Sequence, residues 1–209
     1  MRCTFLVIML GVCLVATAHP GGTHESQGQM SSVQVGQPAP NFVLEDTTGE
    51  QIRLSDYLGR VVVLEWFNPG CPFVKEVHQS GRMPTSANRA LSQDVVWLAV
   101  NSGAANRQGA GLATNQTARN EFDIGYPILL DEPGVVGRAY GAKTTPQMFV
   151  IDATGTIIYA GAFDNQPMGE LDGEHYRNHV DSALDENRLG QTISQPVVKP
   201  WGCSVKYAQ

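Results

Sequence analysis

The chain has 209 residues, 42% of them apolar, which is about the size of one domain with a sizeable core plus tails. A net charge of −6, with no Lys/Arg cluster to reverse it locally, argues against nucleic acid as a partner. The four cysteines stand at positions 3, 13, 71 and 203.

In chain order, Arg2 precedes an apolar stretch from Phe5 to Val15, and Ala16-Thr17-Ala18 supplies a small-x-small cleavage signal. Residues 1–18 therefore read as a secretory signal peptide, too short in its apolar part to span a membrane, and the protein is expected outside the cytoplasm, periplasmic or secreted. Val12 before Cys13 is not the small residue that lipid attachment wants. Cleavage leaves Cys71 and Cys203, which can pair in an oxidising compartment. Such a bond is either a structural tie that shrinks the unfolded ensemble or a redox couple. Residues 19–34 have almost no apolar content and read as a flexible lead. His19 and His24 are candidate copper ligands there, although two histidines in such a tail commonly bind nothing.

A single domain is expected over residues 35–190, with a C-terminal tail at 191–209. Residues 39–46 and 51–54 form a hairpin pattern around Thr48-Gly49-Glu50. Strands follow at 61–67, 95–101, 126–131, 147–152 and 156–160, and the continuous apolar runs at 61–64 and 95–100 fit strands buried on both faces. Helices are expected from Pro72, at about 85–92 beyond breaks at Gly81 and Pro84, near 117–122, at 133–140 and at 176–189. Residues 102–116 read as a surface excursion, and Asn115-Gln116-Thr117 is a glycosylation sequon within it. Strands alternating with helices imply a mixed sheet covered on both faces.

Cys71 is the most informative residue. The strand run ends in Asn68-Pro69-Gly70, then the cysteine, then Pro72 opening a helix. A thiol there meets the helix dipole and free helix amides, which favour the thiolate that acts as nucleophile. Pro72 suits the first helical turn, where its missing N–H costs nothing, but it removes one donor near the sulfur. Lys75 and His78, four and seven residues on, are placed to share a helix face with Cys71; Lys75 is a candidate charge partner and His78 a candidate proton donor, each also readable as a solvated surface residue. Trp66 and Phe67 read as core, with Trp66 a candidate flank of the thiol.

The order of parts, with Val35-Gly-Gln-Pro-Ala-Pro-Asn-Phe42, Trp66-Phe67 before Cys71, and Thr144-Thr-Pro-Gln-Met-Phe-Val-Ile-Asp152, resembles the alkyl hydroperoxide reductase/thiol-specific antioxidant (redoxin) family over roughly residues 35–190. The resemblance implies a thioredoxin-like three-layer α/β/α sandwich with a mixed central sheet and an N-terminal β-hairpin extension. It also implies a cis peptide bond at Thr145-Pro146, lying against the reactive cysteine. Two departures limit the analogy. Val74 stands where thioredoxins have a second cysteine, so a resolving thiol cannot be local. Asn68 and Leu64 replace the Thr or Ser and the Pro of peroxiredoxins, and Arg138 is a poor match for their arginine. Asn68 is only a partial substitute through its amide.

Some peroxiredoxins resolve with a C-terminal cysteine, and the layout here is similar. Trp201, Val205 and Tyr207 can anchor the tail, Gly202 gives backbone freedom, and a tail crossing the first helix brings Cys203 to Cys71. The resemblance implies a thiol oxidoreductase with Cys71 as nucleophile, Cys203 as resolving cysteine and a Cys71–Cys203 disulfide product. Thr145 and Pro146 would frame the site. Peroxide or a disulfide is the substrate, an external thiol or thioredoxin-like protein the reductant, and no metal or organic cofactor is needed. Two alternatives stay open: an extracytoplasmic copper chaperone using Cys71, Cys203 and His78, and a non-catalytic binding domain stapled by a structural disulfide.

Overall fold

The computed structural model describes residues 34–169 and 173–209. The expected signal peptide at 1–18, the lead with His19 and His24, and Cys3 and Cys13 lie outside the described residues. Among the described residues no helix is long and apolar enough to cross a membrane.

Among the described residues there are nine strands and five α-helices. They are β1 (Val43–Asp46), β2 (Gln51–Arg53), β3 (Val62–Trp66), α1 (Pro72–Gln79), α2 (Arg82–Ser92), β4 (Val96–Asn101), α3 (Leu112–Glu121) and β5 (Ile128–Leu130), then α4 (Val135–Tyr140), β6 (Thr144–Thr145), β7 (Gln147–Ile151), β8 (Ile157–Gly161), α5 (His179–Arg188) and β9 (Cys203–Ser204). The helices and seven of the strands follow the expected order, and β6 and β9 are additional. Seven strands make one mixed sheet in the order β2-β1-β5-β4-β3-β7-β8. The centre, β3, β4 and β5, is parallel, while β7 runs antiparallel to β3 and β8 to β7. The N-terminal hairpin joins the sheet directly, with Glu45 opposite Leu130.

The sheet divides two cores, as alternation of side chains along a strand requires. Val63 and Phe67 pack with residues of α1, α2, α3 and α5 on one face. Val62, Leu64 and Trp66 pack on the other face with α4 and the residues around the hairpin. Helices on both faces of a mixed sheet are the expected three-layer architecture.

Two helices start earlier than the sequence pattern suggests. Gly81 does end α1, in a left-handed conformation at φ 80°, but Pro84 lies inside the first turn of α2. A proline is tolerated there because the first four helical N–H groups have no intrahelical acceptor anyway. The start of α3 is Leu112, so the expected surface excursion includes half a helix. That helix inverts the usual pattern: Leu112 is exposed and Asn115 fully buried. Asn115 donates to the carbonyls of Gly109 and Gly111 and accepts from Asn101 Nδ2 at 2.9 Å. Its amide is thus a structural hub inside the protein, which makes the sequon inaccessible to glycosylation once the chain is folded.

Candidate active site

Cys71 is the residue immediately before α1, with extended backbone (φ −80°, ψ 124°) and Pro72 in the first turn. Its carbonyl accepts the Lys75 amide at 3.0 Å, so the helix begins as expected. The thiol does not cap the helix. It is fully buried and donates instead to the carbonyl oxygen of Thr145 at 3.0 Å. The Thr145-Pro146 bond is cis, which places this carbonyl at the turn where β6 passes into β7.

The C-terminal tail reaches the same place. Val197 bridges to Ala160 of the outer strand β8, whose carbonyl accepts from Val198 N and whose N–H donates to the Pro196 carbonyl. Trp201 Nε1 donates to the Asp164 carbonyl at 2.7 Å, and its ring centroid lies 6.0 Å from that of Phe73 in α1. Then β9 pairs antiparallel with β6, Thr145 opposite Cys203 and Thr144 opposite Ser204. The tail therefore meets α1 at Phe73 and runs along the 144–145 edge. Cys203 arrives within hydrogen-bonding reach of Cys71, and both are free thiols. Burial first, then its hydrogen bond to Cys71 and the Cys71 charge, push the Cys203 thiol up to about 11. At neutral pH Cys203 is therefore a protonated partner of Cys71.

The close approach of the two backbones explains Gly202. A Cβ at this position would lie 2.1 Å from the Thr145 oxygen, and φ is +125°. Only glycine fits both conditions.

Several candidate residues are placed otherwise than expected. His78 is not a surface proton donor and shares no exposed face with Lys75. It is buried, stacked on Phe122 at 5.2 Å, with Nε2 2.8 Å from Glu65 Oε1. Lys75 is exposed on the rim of a groove with Gly70, Gly109 and Glu121. The two diverge because α1 turns its 74/77/78 side inward, against the sheet. Trp66 does not flank the thiol: strand alternation turns it to the opposite core, where it packs on Tyr140 and Phe149 and donates to Ser102 Oγ at 3.1 Å. The Asn68 amide is bonded at both ends, its Oδ1 accepting from Gly70 N at 2.8 Å and its Nδ2 donating to the Gln108 carbonyl at 3.0 Å. It shapes the loop before Cys71, tying it to the Gln108 carbonyl. Arg138 lies over the Tyr207 ring and donates to the Ala208 carbonyl, which makes it a tail anchor. The suggested copper set is not assembled either, since His78 turns its Nε2 to Glu65; among the described residues no group of three metal-ligating side chains forms.

Glu65 is the residue that sequence reading passes over. On β3 it points to the Cys71 side of the sheet, fully buried, and accepts from Trp97 Nε1 at 3.2 Å and Tyr126 Oη at 2.9 Å besides meeting His78. Burial, and secondarily the Glu65 charge, push the Tyr126 hydroxyl well above its ordinary range, so it stays a donor. A lone acid within a strand-type apolar run was the available signal.

Comparison with known proteins agrees with this geometry. The AhpC/TSA family matches residues 35–160. The chain is 32% identical over 159 residues to thiol-disulfide oxidoreductase ResA of Bacillus subtilis, covering 73% of this chain and 82% of that one. Among solved structures, a hypothetical protein of Sinorhizobium meliloti superposes with TM-score 0.75 at 25% identity, over 85% of this chain and 97% of the other. The thioredoxin domain of a thiol-disulfide oxidoreductase from Bacteroides vulgatus matches with TM-score 0.54 at 18% identity, over 76% and 99%, a likeness of fold.

Proposed function

Given that this chain belongs to the AhpC/TSA family, we propose that it is an exported thiol-disulfide oxidoreductase in which Cys71 is the nucleophile and Cys203 the resolving cysteine. One observation carries the reading: two cysteines far apart in sequence have their thiols in contact across the cis Thr145-Pro146 turn. A purely structural tail anchor would have no need of a strand-to-helix junction for one of its cysteines.

The cycle balances with two thiols and one external disulfide. The Cys71 proton, shared with the Thr145 carbonyl, leaves, and the thiolate attacks a disulfide sulfur. A Cys71–substrate bond forms, the substrate S–S bond breaks, and one thiol departs. Cys203, once deprotonated, attacks the Cys71 sulfur and expels the second thiol. The protein is left as the Cys71–Cys203 disulfide, which an external thiol reductant reopens. The family and the named relative support disulfide exchange as the main reaction. Hydrogen peroxide can enter through the same thiol, giving a sulfenic acid that Cys203 converts to the same disulfide with release of water. Asn68 stands where peroxiredoxins carry the Thr or Ser hydroxyl that orients the peroxide, which makes this the slower route.

The test is to mix the pre-reduced protein separately with a small disulfide and with hydrogen peroxide and to map the products by non-reducing peptide mass spectrometry. A Cys71–Cys203 link forming much faster with the disulfide, and lost in Cys71→Ser, is expected. Unchanged turnover in Cys71→Ser would sink the reading. A bond resisting millimolar dithiothreitol without unfolding would favour a structural staple.

A further inference from the structure

We propose that residues 201–204 act as a built-in strap on the strand edge beside Pro146, and that this strap restricts Cys71 to low-molecular-weight disulfides at the expense of polypeptide ones. The proposal rests on Cys71 being the nucleophile, but not on Cys203 resolving it.

An extended polypeptide docks on a sheet by pairing with free backbone groups at an edge. At Cys71 the edge in reach is Thr144–Thr145, and β9 already pairs with it. The fit leaves no gap, as the 2.1 Å between a notional Gly202 Cβ and the Thr145 oxygen shows. Nor is β9 a hinged flap, because it is tethered on both sides. Upstream, Trp201 is bonded to the carbonyl of Asp164, whose buried carboxylate is ion-paired with Arg82. Downstream, Val205 N donates to the Lys143 carbonyl at 3.0 Å, Ala104 N to the Lys206 carbonyl at 2.8 Å, and Tyr207 Oη to the Ala142 carbonyl at 2.9 Å. A polypeptide disulfide has to break the β6–β9 pairing before its sulfur can reach Cys71. A small disulfide needs only a side-chain-scale shift at Cys203, which is itself partly exposed. The attack is the same in both cases: the Cys71–sulfur bond forms, the attacked S–S bond breaks, and one thiol leaves with a proton.

Two full-length substitutions release the strap without touching either cysteine. Gly202→Ala drives a methyl group into the Thr145 carbonyl, and Trp201→Ala removes the upstream tether. The experiment is done in the Cys203→Ser background, so that the mixed disulfide on Cys71 accumulates and only the first step is read. Its rate of formation is followed by intact-mass spectrometry with oxidised glutathione and, separately, with insulin as the polypeptide disulfide. Thermal unfolding confirms that each variant folds; if Gly202→Ala does not, Trp201→Ala carries the test.

The apparent rate scales with the fraction of molecules whose edge is free, so releasing the strap should speed the insulin reaction about tenfold or more and the glutathione reaction less than about threefold. Similar rates for both disulfides in the parent, or an unchanged ratio in a folded strap variant, would overturn the proposal alone. Inertness of Cys71 to both disulfides in every variant would overturn the nucleophile assignment, and the strap with it.

Discussion

The two sides of the Cys71 helix are held in opposite ways. Beneath it, the Glu65 carboxylate gathers Trp97, Tyr126 and His78 into one buried cluster that ties α1 to β3, β4 and the segment before β5. Above it, the tail contributes a two-residue strand whose members are partly or fully exposed. Hydrogen bonds out of reach of water are expensive to break, because each buried group left behind goes unpaired, whereas an edge pairing at the surface can exchange with water. Cys71 therefore has a rigid floor and a tethered cover whose own pairing lies at the surface.

The largest expected effect comes from abolishing that contrast. Oxidation to the Cys71–Cys203 disulfide closes a loop of more than a hundred residues and fixes the cover to the floor. In the chain-entropy account this raises stability by about 5 kcal/mol. Denaturant midpoints of the oxidised and reduced protein measure it; coincident midpoints would mean that the tail already restrains the unfolded chain or that the bond is strained. Next in size is loss of the floor. Glu65→Ala strands the Trp97 and Tyr126 donors and the His78 ring in the core, and a cost of about 4 kcal/mol is expected. A loss below about 1 kcal/mol would show that water replaces the carboxylate.

What was legible in the sequence divides along the same line. The β3–Cys71–α1 junction could be read because a β-branched run, a turn dipeptide and a proline at the first helical position are local signals. The Thr145-Pro146 turn was legible only through resemblance. The Glu65 cluster was not legible, since its partners lie 13, 32 and 61 residues away and the acid itself reads like any polar member of a strand. His78 was misplaced for the same reason: its partners are Glu65 and Phe122, which helix periodicity does not reveal. The contact of Cys203 with Cys71 was anticipated, but not its means. A two-residue strand has no periodicity, and Gly202 signals a close approach only when the Thr145 carbonyl facing it is known.

A smaller effect follows from the position of Cys203 under the cover. Its raised value means that the thiol is almost wholly protonated at neutral pH, and burial, the first cause, persists after Cys71 has reacted. Attack by Cys203 on a Cys71 mixed disulfide should therefore accelerate about tenfold per pH unit, equivalent to about 1.4 kcal/mol, and keep rising above pH 9, where an ordinary thiol levels off. Stopped-flow measurement of thiol release after the first step reads this directly. A plateau near pH 9 would mean that Cys203 swings into water before it attacks, and that the cover opens during every turnover.

The smallest expected effect tests whether the cover has its own local stability. Tyr207→Phe keeps the ring under Arg138 and removes only the hydroxyl that donates to the Ala142 carbonyl. The loss is about 1 kcal/mol, the usual worth of one partly buried hydrogen bond. If the tail opens as a separate unit, the change falls on that local opening and leaves global unfolding almost untouched. Amide exchange at Val205, which donates to the Lys143 carbonyl, and at Ala104, which donates to the Lys206 carbonyl, should then quicken about fivefold. Amides of β3 and β4 above the Glu65 cluster should keep their protection. Equal acceleration in the central strands would instead tie the tail into the global fold, so that uncovering Cys71 would demand unfolding the protein.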